Sequence, residues 1–404
     1  MLSRRRLAIT AGAAAGGLAM PWIARAAPTP GVTKTSIKIG QTMPYSGPAS
    51  AYGVIGHTEE AVCKMINAAG GINGRTLDLI SVDDGYSPPR TVEETRRLVE
   101  SEGVAFIFQG LGTATQSAVR QYMNAKKVPQ LFVSSGADKW ADPQHFPWTM
   151  GWQPSYRTEA QIYAKHMQTA APGAKLAILY QNDDFGKDYL AGVKDVLGAQ
   201  YDAVVVKAAS YETTDPTVDS QVVSLQSSGA DALLLAATPK FAAQAIKKVA
   251  EVNWHPAEYY ITNVSYSPAS VLIPAGADNA KGIISAAYLK DPSDPQWAND
   301  AGVAEWRAFV AQWMPGADLK DSNIPYGYAL GLTLKQVLTQ CGDDLSRENI
   351  MKQAASLNGL ELPTLLPGVK ISTSATNFHP LRQMQLARWT GESWSLFGGV
   401  LEGA

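Results

Sequence analysis

The chain has 404 residues, of which 46% are apolar, and its 34 Lys and Arg against 36 Asp and Glu give a formal charge of −2. A mildly acidic, mixed surface gives no basis for nucleic-acid binding. Past the first 26 residues no segment is long and apolar enough to cross a bilayer, and the length calls for two domains.

At the N-terminus, Arg4-Arg5-Arg6 precedes an apolar, Ala/Gly-rich stretch and Ala24-Arg25-Ala26. This is the pattern of a secretory signal peptide spanning residues 1–26, which places the mature chain outside the cytoplasm. Ser3-Arg4-Arg5 also fits a twin-arginine signal, so the general and twin-arginine export routes both stay open. Cleavage after Ala26 removes four arginines and no acid, moving the formal charge to −6.

From Ser36 the chain reads as strand, turn, helix, glycine turn and strand. Ser36-Ile37-Lys38-Ile39-Gly40 alternates like a half-buried strand and Tyr45-Ser46-Gly47-Pro48 punctuates it. A helical run from about Val54 to Ala69 ends at Gly70-Gly71, and Gly74 turns the chain into the strand Leu77–Val82. Ser87-Pro88-Pro89 then opens a helix with a hydroxyl cap and prolines in its first turn. Strands follow at 104–108 and 130–133, with a helix from Thr113 between them. Their continuous apolar runs suit a parallel sheet covered on both faces, so a doubly wound α/β domain is expected.

Residues 148–154 interrupt this rhythm. It restarts with a helix from about Ser155 to Ala170, strands at 175–180, 203–206, 232–235 and 259–261, and helices from about Thr217 and Pro239. Two similar lobes are therefore expected rather than one large sheet. Past 282–285 the pattern is helical over 301–314, 328–340 and 346–355, and it ends in a strand at 369–371 and a hairpin of 383–389 with 394–397. The helices return to cover the first lobe, giving crossings near 150, 285 and 360. One lobe is then 34–152 plus 286–358, and the other 153–285 plus 359–404.

Ligands of open α/β sheets bind beyond the carboxyl ends of the strands, where helix N-termini point into a crevice. The loops there are 110–115, 134–138, 182–186, 237–241 and 262–263, rich in hydroxyls and small residues, with two aromatic rings. They suit a small polar or anionic ligand with an apolar body. Loop 110–115 is neither a P-loop nor a dinucleotide fingerprint, since it lacks both Gly-Lys-Ser/Thr and the third glycine. Ser134 and Ser135 lack a nucleophile elbow, the five histidines are scattered, and the pairs Asp83-Asp84 and Asp183-Asp184 read as loop acids without a metal motif. An enzyme, a cofactor and a metal are therefore not expected. Cys63 and Cys341 are either a bridge, which an extracytoplasmic compartment permits, or buried small apolar residues.

Tyr45-Ser46-Gly47-Pro48 with Tyr52-Gly53, Gly70-Gly71-Ile72-Asn73-Gly74-Arg75 and Asp83-Asp84 strongly resembles the periplasmic solute-binding proteins of the branched-chain amino acid transporter type. Phe185-Gly186 and the 281–289 crossing fit the same family. Thr113-Ala114-Thr115, 147–150 and 179–189 are similar to a bacterial subgroup that includes binders of aromatic carboxylic acids. The resemblance implies the type I periplasmic binding fold, with two doubly wound lobes on a three-segment hinge that closes over a solute and delivers it to the membrane permease of an ATP-driven (ABC) importer. A receptor-coupled sensor would use the same closure.

By position, the resemblance places Tyr52 in the cleft. It has Gly112, Thr113, Thr115, Ser135 and Gly136 hold a carboxylate, and it packs Phe185 on the ligand. Thr238 and Tyr326 are further assignments. Asp138 falls where amino acid binders commonly have a threonine. Asn263 falls near the glutamate whose charge offsets the ligand ammonium in those binders. A neutral residue there points to a carboxylate without an α-amino group, because an unpaired buried ammonium costs several kcal/mol. Asp138 as a replacement acid keeps amino acids open.

Overall fold

The computed structural model describes residues 29–402, so the expected signal peptide at 1–26 lies outside the described residues. Strands β1 (Ser36–Met43) and β2 (Thr76–Asp83) run parallel on either side of helix α1 (Gly53–Ala68), with Ile39 opposite Leu79. Helix α1 stops where Gly70 takes a φ of +98° and the Gly71 N–H returns to the Ile66 carbonyl at 2.9 Å. Before α2 (Pro88–Arg96) the Ser87 hydroxyl makes no cap, correcting the expected one. Pro89, at the second helical position, carries no N–H for it to accept, and the Arg90 N–H at the third is not bonded to it.

Strands β3 (Phe106–Phe108), β4 (Gln130–Val133) and β5 (Thr149–Gly151), with α3 (Thr113–Ala125) between β3 and β4, complete a parallel sheet of order β2-β1-β3-β4-β5. β5 is an addition to the sequence reading. Three residues between two tryptophans give no period, and pairing with β4 makes them a strand.

The second half repeats the scheme. Helix α4 (Tyr156–Ala170) leads to β6 (Leu176–Gln181), α5 (Asp184–Leu197), α6 (Tyr201–Val204), β7 (Val205–Tyr211), α7 (Asp219–Gln226), β8 (Ala232–Ala236), α8 (Pro239–Glu251), β9 (Glu258–Ile261) and β10 (Ile284–Ala287). After α9 (Ala301–Trp313), α10 (Asn323–Cys341) and α11 (Arg347–Ala354), the hairpin β11 (Gln383–Trp389) and β12 (Trp394–Glu402) closes a seven-stranded sheet of order β12-β11-β10-β9-β8-β6-β7. β8, β9 and β10 are buried along their whole length, and the edge strand β7 is largely exposed. The expected strand at 369–371 is not one. Ile371 makes only an isolated bridge to Leu360, because Pro367 and Gly368, at φ +85°, bend the chain just before it.

Helices α10 and α11 pack on the first sheet. Gly331 lets α10 lie directly on α1: a Cβ there would stand 2.6 Å from Val62 Cγ1. Arg347 of α11 donates to the Val104 and Ala105 carbonyls at 2.9 and 2.7 Å. Cys63 and Cys341 are free and buried, which corrects the possible bridge: each fills apolar volume, and burial pushes both thiols up to about 12.

The chain passes between the sheets after β5, after β10 and before β11. Two of these passages run side by side, with Lys290 N–H on the Thr364 carbonyl at 2.8 Å and Leu366 N–H on the Tyr288 carbonyl at 3.0 Å.

Candidate functional site

The carboxyl ends of the parallel strands of both sheets meet at one cleft. Tyr52, Gly112, Thr113, Phe185, Thr238, Asn263 and Tyr326 line it. Its empty space is about 810 Å³, solvent at the mouth included.

On the first-sheet side the wall is polar backbone. Gly112 takes a φ of +105°, and a Cβ there would stand 2.5 Å from the Tyr86 ring, so only glycine leaves this peptide open to the cleft. Helix α3 begins at Thr113 with no side-chain cap, leaving its first-turn N–H groups and the positive end of the helix toward the cleft. Thr113 Oγ1 lies 2.7 Å from Ser135 Oγ, and Ser134 Oγ 3.0 Å from the Tyr326 hydroxyl, which donates to Gln153 Oε1 at 2.9 Å.

Four expected contacts lie elsewhere. Ser135 stands behind Thr113, and Thr115 turns its hydroxyl back to the Leu111 carbonyl. Gly136 is packed so that a Cβ would meet the Pro154 carbonyl at 2.3 Å. Asp138 begins the short turn Asp138–Ala141, accepts from Ser155 Oγ at 2.6 Å, and lines a separate pocket with Arg157, Asp195, His379 and Arg382. It does not reach the cleft, so it is not the ammonium partner considered for it.

The wall formed by the second sheet is aromatic. Asp183 accepts from the Phe185 and Gly186 N–H groups at 3.1 and 3.4 Å, fixing the start of α5 and with it the Phe185 ring, which meets Tyr156 edge-on at 4.8 Å. Thr238 Oγ1 is held by Tyr211 and Gln181, each at 3.2 Å. Asn263 sits against a fully buried carboxylate: its N–H donates to Glu159 Oε1 at 2.7 Å and its Nδ2 to Glu159 Oε2. Burial pushes Glu159 up to about 7.

The sequence reading missed Tyr86, Tyr156, Tyr266, Tyr288 and Lys290, which also line the cleft. Tyr86 follows β2, Tyr266 follows β9, and Tyr288 and Lys290 follow β10, so extending the strand-end rule to every parallel strand finds four of the five. Among the described residues no Asp or Glu lines the cleft. Lys290, the one cation among the described lining residues, is held by Asp300 at 2.8 Å and the Pro363 carbonyl at 2.9 Å. Desolvation raises all six cleft tyrosines, which stay neutral hydrogen-bonding phenols.

The family model described as "Periplasmic binding protein" matches residues 36–393. The chain belongs to the periplasmic binding protein family. A curated relative, "Leu/Ile/Val-binding protein homolog 7" of Brucella abortus, is 26% identical over 264 residues, covering 63% of this chain and 64% of that protein, so the match spans just under two thirds of the relative. Among solved structures, a branched chain amino acid ABC transporter protein from Thermus thermophilus with bound valine superposes with a TM-score of 0.82 at 14% identity, over 92% of this chain and 98% of that one. A fatty acid ABC transporter substrate-binding protein from Thermomonospora curvata superposes with a TM-score of 0.77 at 21% identity, over 93% and 94%.

In this periplasmic binding protein the two walls touch. The Tyr52 hydroxyl donates to the Val264 carbonyl at 2.9 Å, Lys139 Nζ meets Asp184 at 2.8 Å, and the Asp138 N–H donates to Asp188 at 2.9 Å. Ser267 Oγ donates to Asp321 at 3.0 Å at the other side of the cleft. Among the described residues no helix is long and apolar enough to cross a membrane.

Proposed function

We propose that the protein is the extracytoplasmic solute-binding component of an ABC importer, periplasmic, non-enzymatic, and that it binds a small carboxylate lacking an α-amino group and delivers it to a membrane permease. The observation that carries the ligand class is the composition of the cleft wall: among the described residues, seven aromatic rings, no Asp or Glu, and an uncapped helix N-terminus beside Gly112. A carboxylate is served by the N–H groups of α3 and by the Thr113 hydroxyl. An aromatic or aliphatic body is served by Tyr52, Phe185 and Tyr326.

An α-ammonium has no carboxylate to touch, and leaving it unpaired costs several kcal/mol. The fatty acid protein of Thermomonospora curvata shares the fold and names a ligand of this type. The amino acid reading is favoured by the names of the curated relatives and by the valine-bound structure, and Glu159 behind Asn263 is an acid it could invoke. On either reading, lobes 34–152 plus 286–358 and 153–285 plus 359–404 close about the three passages. The ligand favours closure through the contacts it gains there.

A thermal-shift screen of ligand-stripped protein tests this. A ligand at 100 times its dissociation constant adds about 2.7 kcal/mol, so aromatic or aliphatic acids are expected to raise the melting temperature while leucine, isoleucine and valine leave it unchanged. Stabilisation by the amino acids alone would overturn the ligand class.

A further inference from the structure

Resting on that reading of the cleft, we propose that Glu159 is a positioning residue that fixes the Asn263 amide with its oxygen toward the ligand, so that the solute carries a hydroxyl as a neutral hydrogen-bond donor at this end of the cleft.

The geometry of the pair carries the inference. A carboxylate only accepts, so it orders both nitrogens of Asn263: the N–H goes to Oε1 at 2.7 Å and Nδ2 to Oε2. Nδ2 gives one of its two N–H groups to Glu159, which fixes the amide plane and leaves the oxygen as the acceptor that Asn263 offers the cleft it lines. The side chain thus presents an acceptor, and once a bound solute shuts water out, an acceptor left without a donor weakens binding.

The same bonding argues for a hydroxyl over an ammonium. Glu159 Oε1 also accepts from the Tyr163 hydroxyl at 2.5 Å, so its oxygens are already occupied and Asn263 stands between it and the cleft. An ammonium would find one amide oxygen for three protons and no direct counter-charge. A hydroxyl needs only the one acceptor.

Replacing Glu159 by glutamine separates positioning from packing. Oε1, accepting from Asn263 N–H and Tyr163, is expected to remain the oxygen, which puts the new NH₂ at the Oε2 position. That group donates, so the Asn263 amide must turn its oxygen to it and show Nδ2 to the cleft. The acceptor becomes a donor with no change in volume.

The test is calorimetry at pH 8, where Glu159 is ionised, on full-length mature protein carrying native residues, Glu159→Gln or Asn263→Ala. Benzoate is compared with its three monohydroxy isomers, and hexanoate with 6-hydroxyhexanoate and 3-hydroxyhexanoate. In whichever series binds, at least one hydroxy acid is expected to bind the native protein at least tenfold more tightly than its parent. That margin is expected to fall below threefold in Asn263→Ala; in Glu159→Gln, where the same hydroxyl can accept from the turned amide, the methyl ether of the preferred hydroxy acid, which accepts but cannot donate, is expected to come within threefold of it although it binds the native protein at least tenfold more weakly. Equal binding of hydroxy and parent acids, a margin that survives Asn263→Ala, or a methyl ether that stays as weak on Glu159→Gln as on the native protein overturns this inference and leaves the carboxylate reading standing. Failure of every acid to bind the native protein overturns both.

Discussion

The Tyr52 hydroxyl, carried on the first sheet's side, donates to the Val264 carbonyl on the second at 2.9 Å, across 212 residues of chain. Both groups stand at the cleft, so this bond exists only when the walls are together. Tyr52→Phe keeps the ring and removes the bond. With a net worth of about 0.5–1.5 kcal/mol, its loss is expected to weaken solute affinity roughly two- to tenfold. Calorimetry on the two proteins measures this, and the radius of gyration without ligand is expected to rise in the variant.

Phe185 stacks edge-on against Tyr156 at the cleft wall and is 2% exposed. Phe185→Ala is expected to weaken binding by about 1–3 kcal/mol through lost apolar area and ring contact. An unchanged dissociation constant would remove Phe185 from the site.

Glu159 gives a pH signature. Burial raises it from 4.5 to about 7, so the folded state holds this proton more tightly than the unfolded chain. Stability from this group is fully present below about 4.5 and is lost as pH rises through 7, by about 1–3 kcal/mol. Asp188, raised to about 6 by burial, acts in the same direction over a lower range. Melting temperatures of Glu159→Gln and the native protein should therefore diverge between pH 5 and 7.5 in favour of the variant.

Free, buried Cys63 and Cys341 predict that a thiol reagent labels two groups per unfolded chain and none in the folded one. A reductant is expected to leave the melting temperature unchanged. Two oxidised cysteines in the periplasmic protein would show up as zero thiols after unfolding.

How much of this was legible in sequence follows from where each signal resides. Apolar runs such as 232–235 announce buried parallel strands by themselves, and Gly70 announces the end of α1, because both are local physics. β5 is three residues long and exists only by pairing with β4, so no local pattern marks it. Seven residues that the family resemblance assigned to the site line this cleft, most of them just past a strand end or at a helix start. Asp138 shared that position but its turn carries it outward to Ser155, which only the tertiary bond reveals. Glu159 lies in the first turn of α4, where an acid is common and carries no signal in the sequence. Its role comes from Asn263, 104 residues away.

The most direct measurement is isothermal titration of ligand-stripped protein with matched pairs that differ only in the amino group: 4-methylpentanoate against leucine, and 3-phenylpropanoate against phenylalanine. The acid of at least one pair is expected to bind at least tenfold more tightly than its amino acid, because the cleft offers an ammonium no carboxylate. Tighter binding of leucine or phenylalanine than of the matching acid would contradict that account and make Glu159, acting through Asn263, the partner of an ammonium.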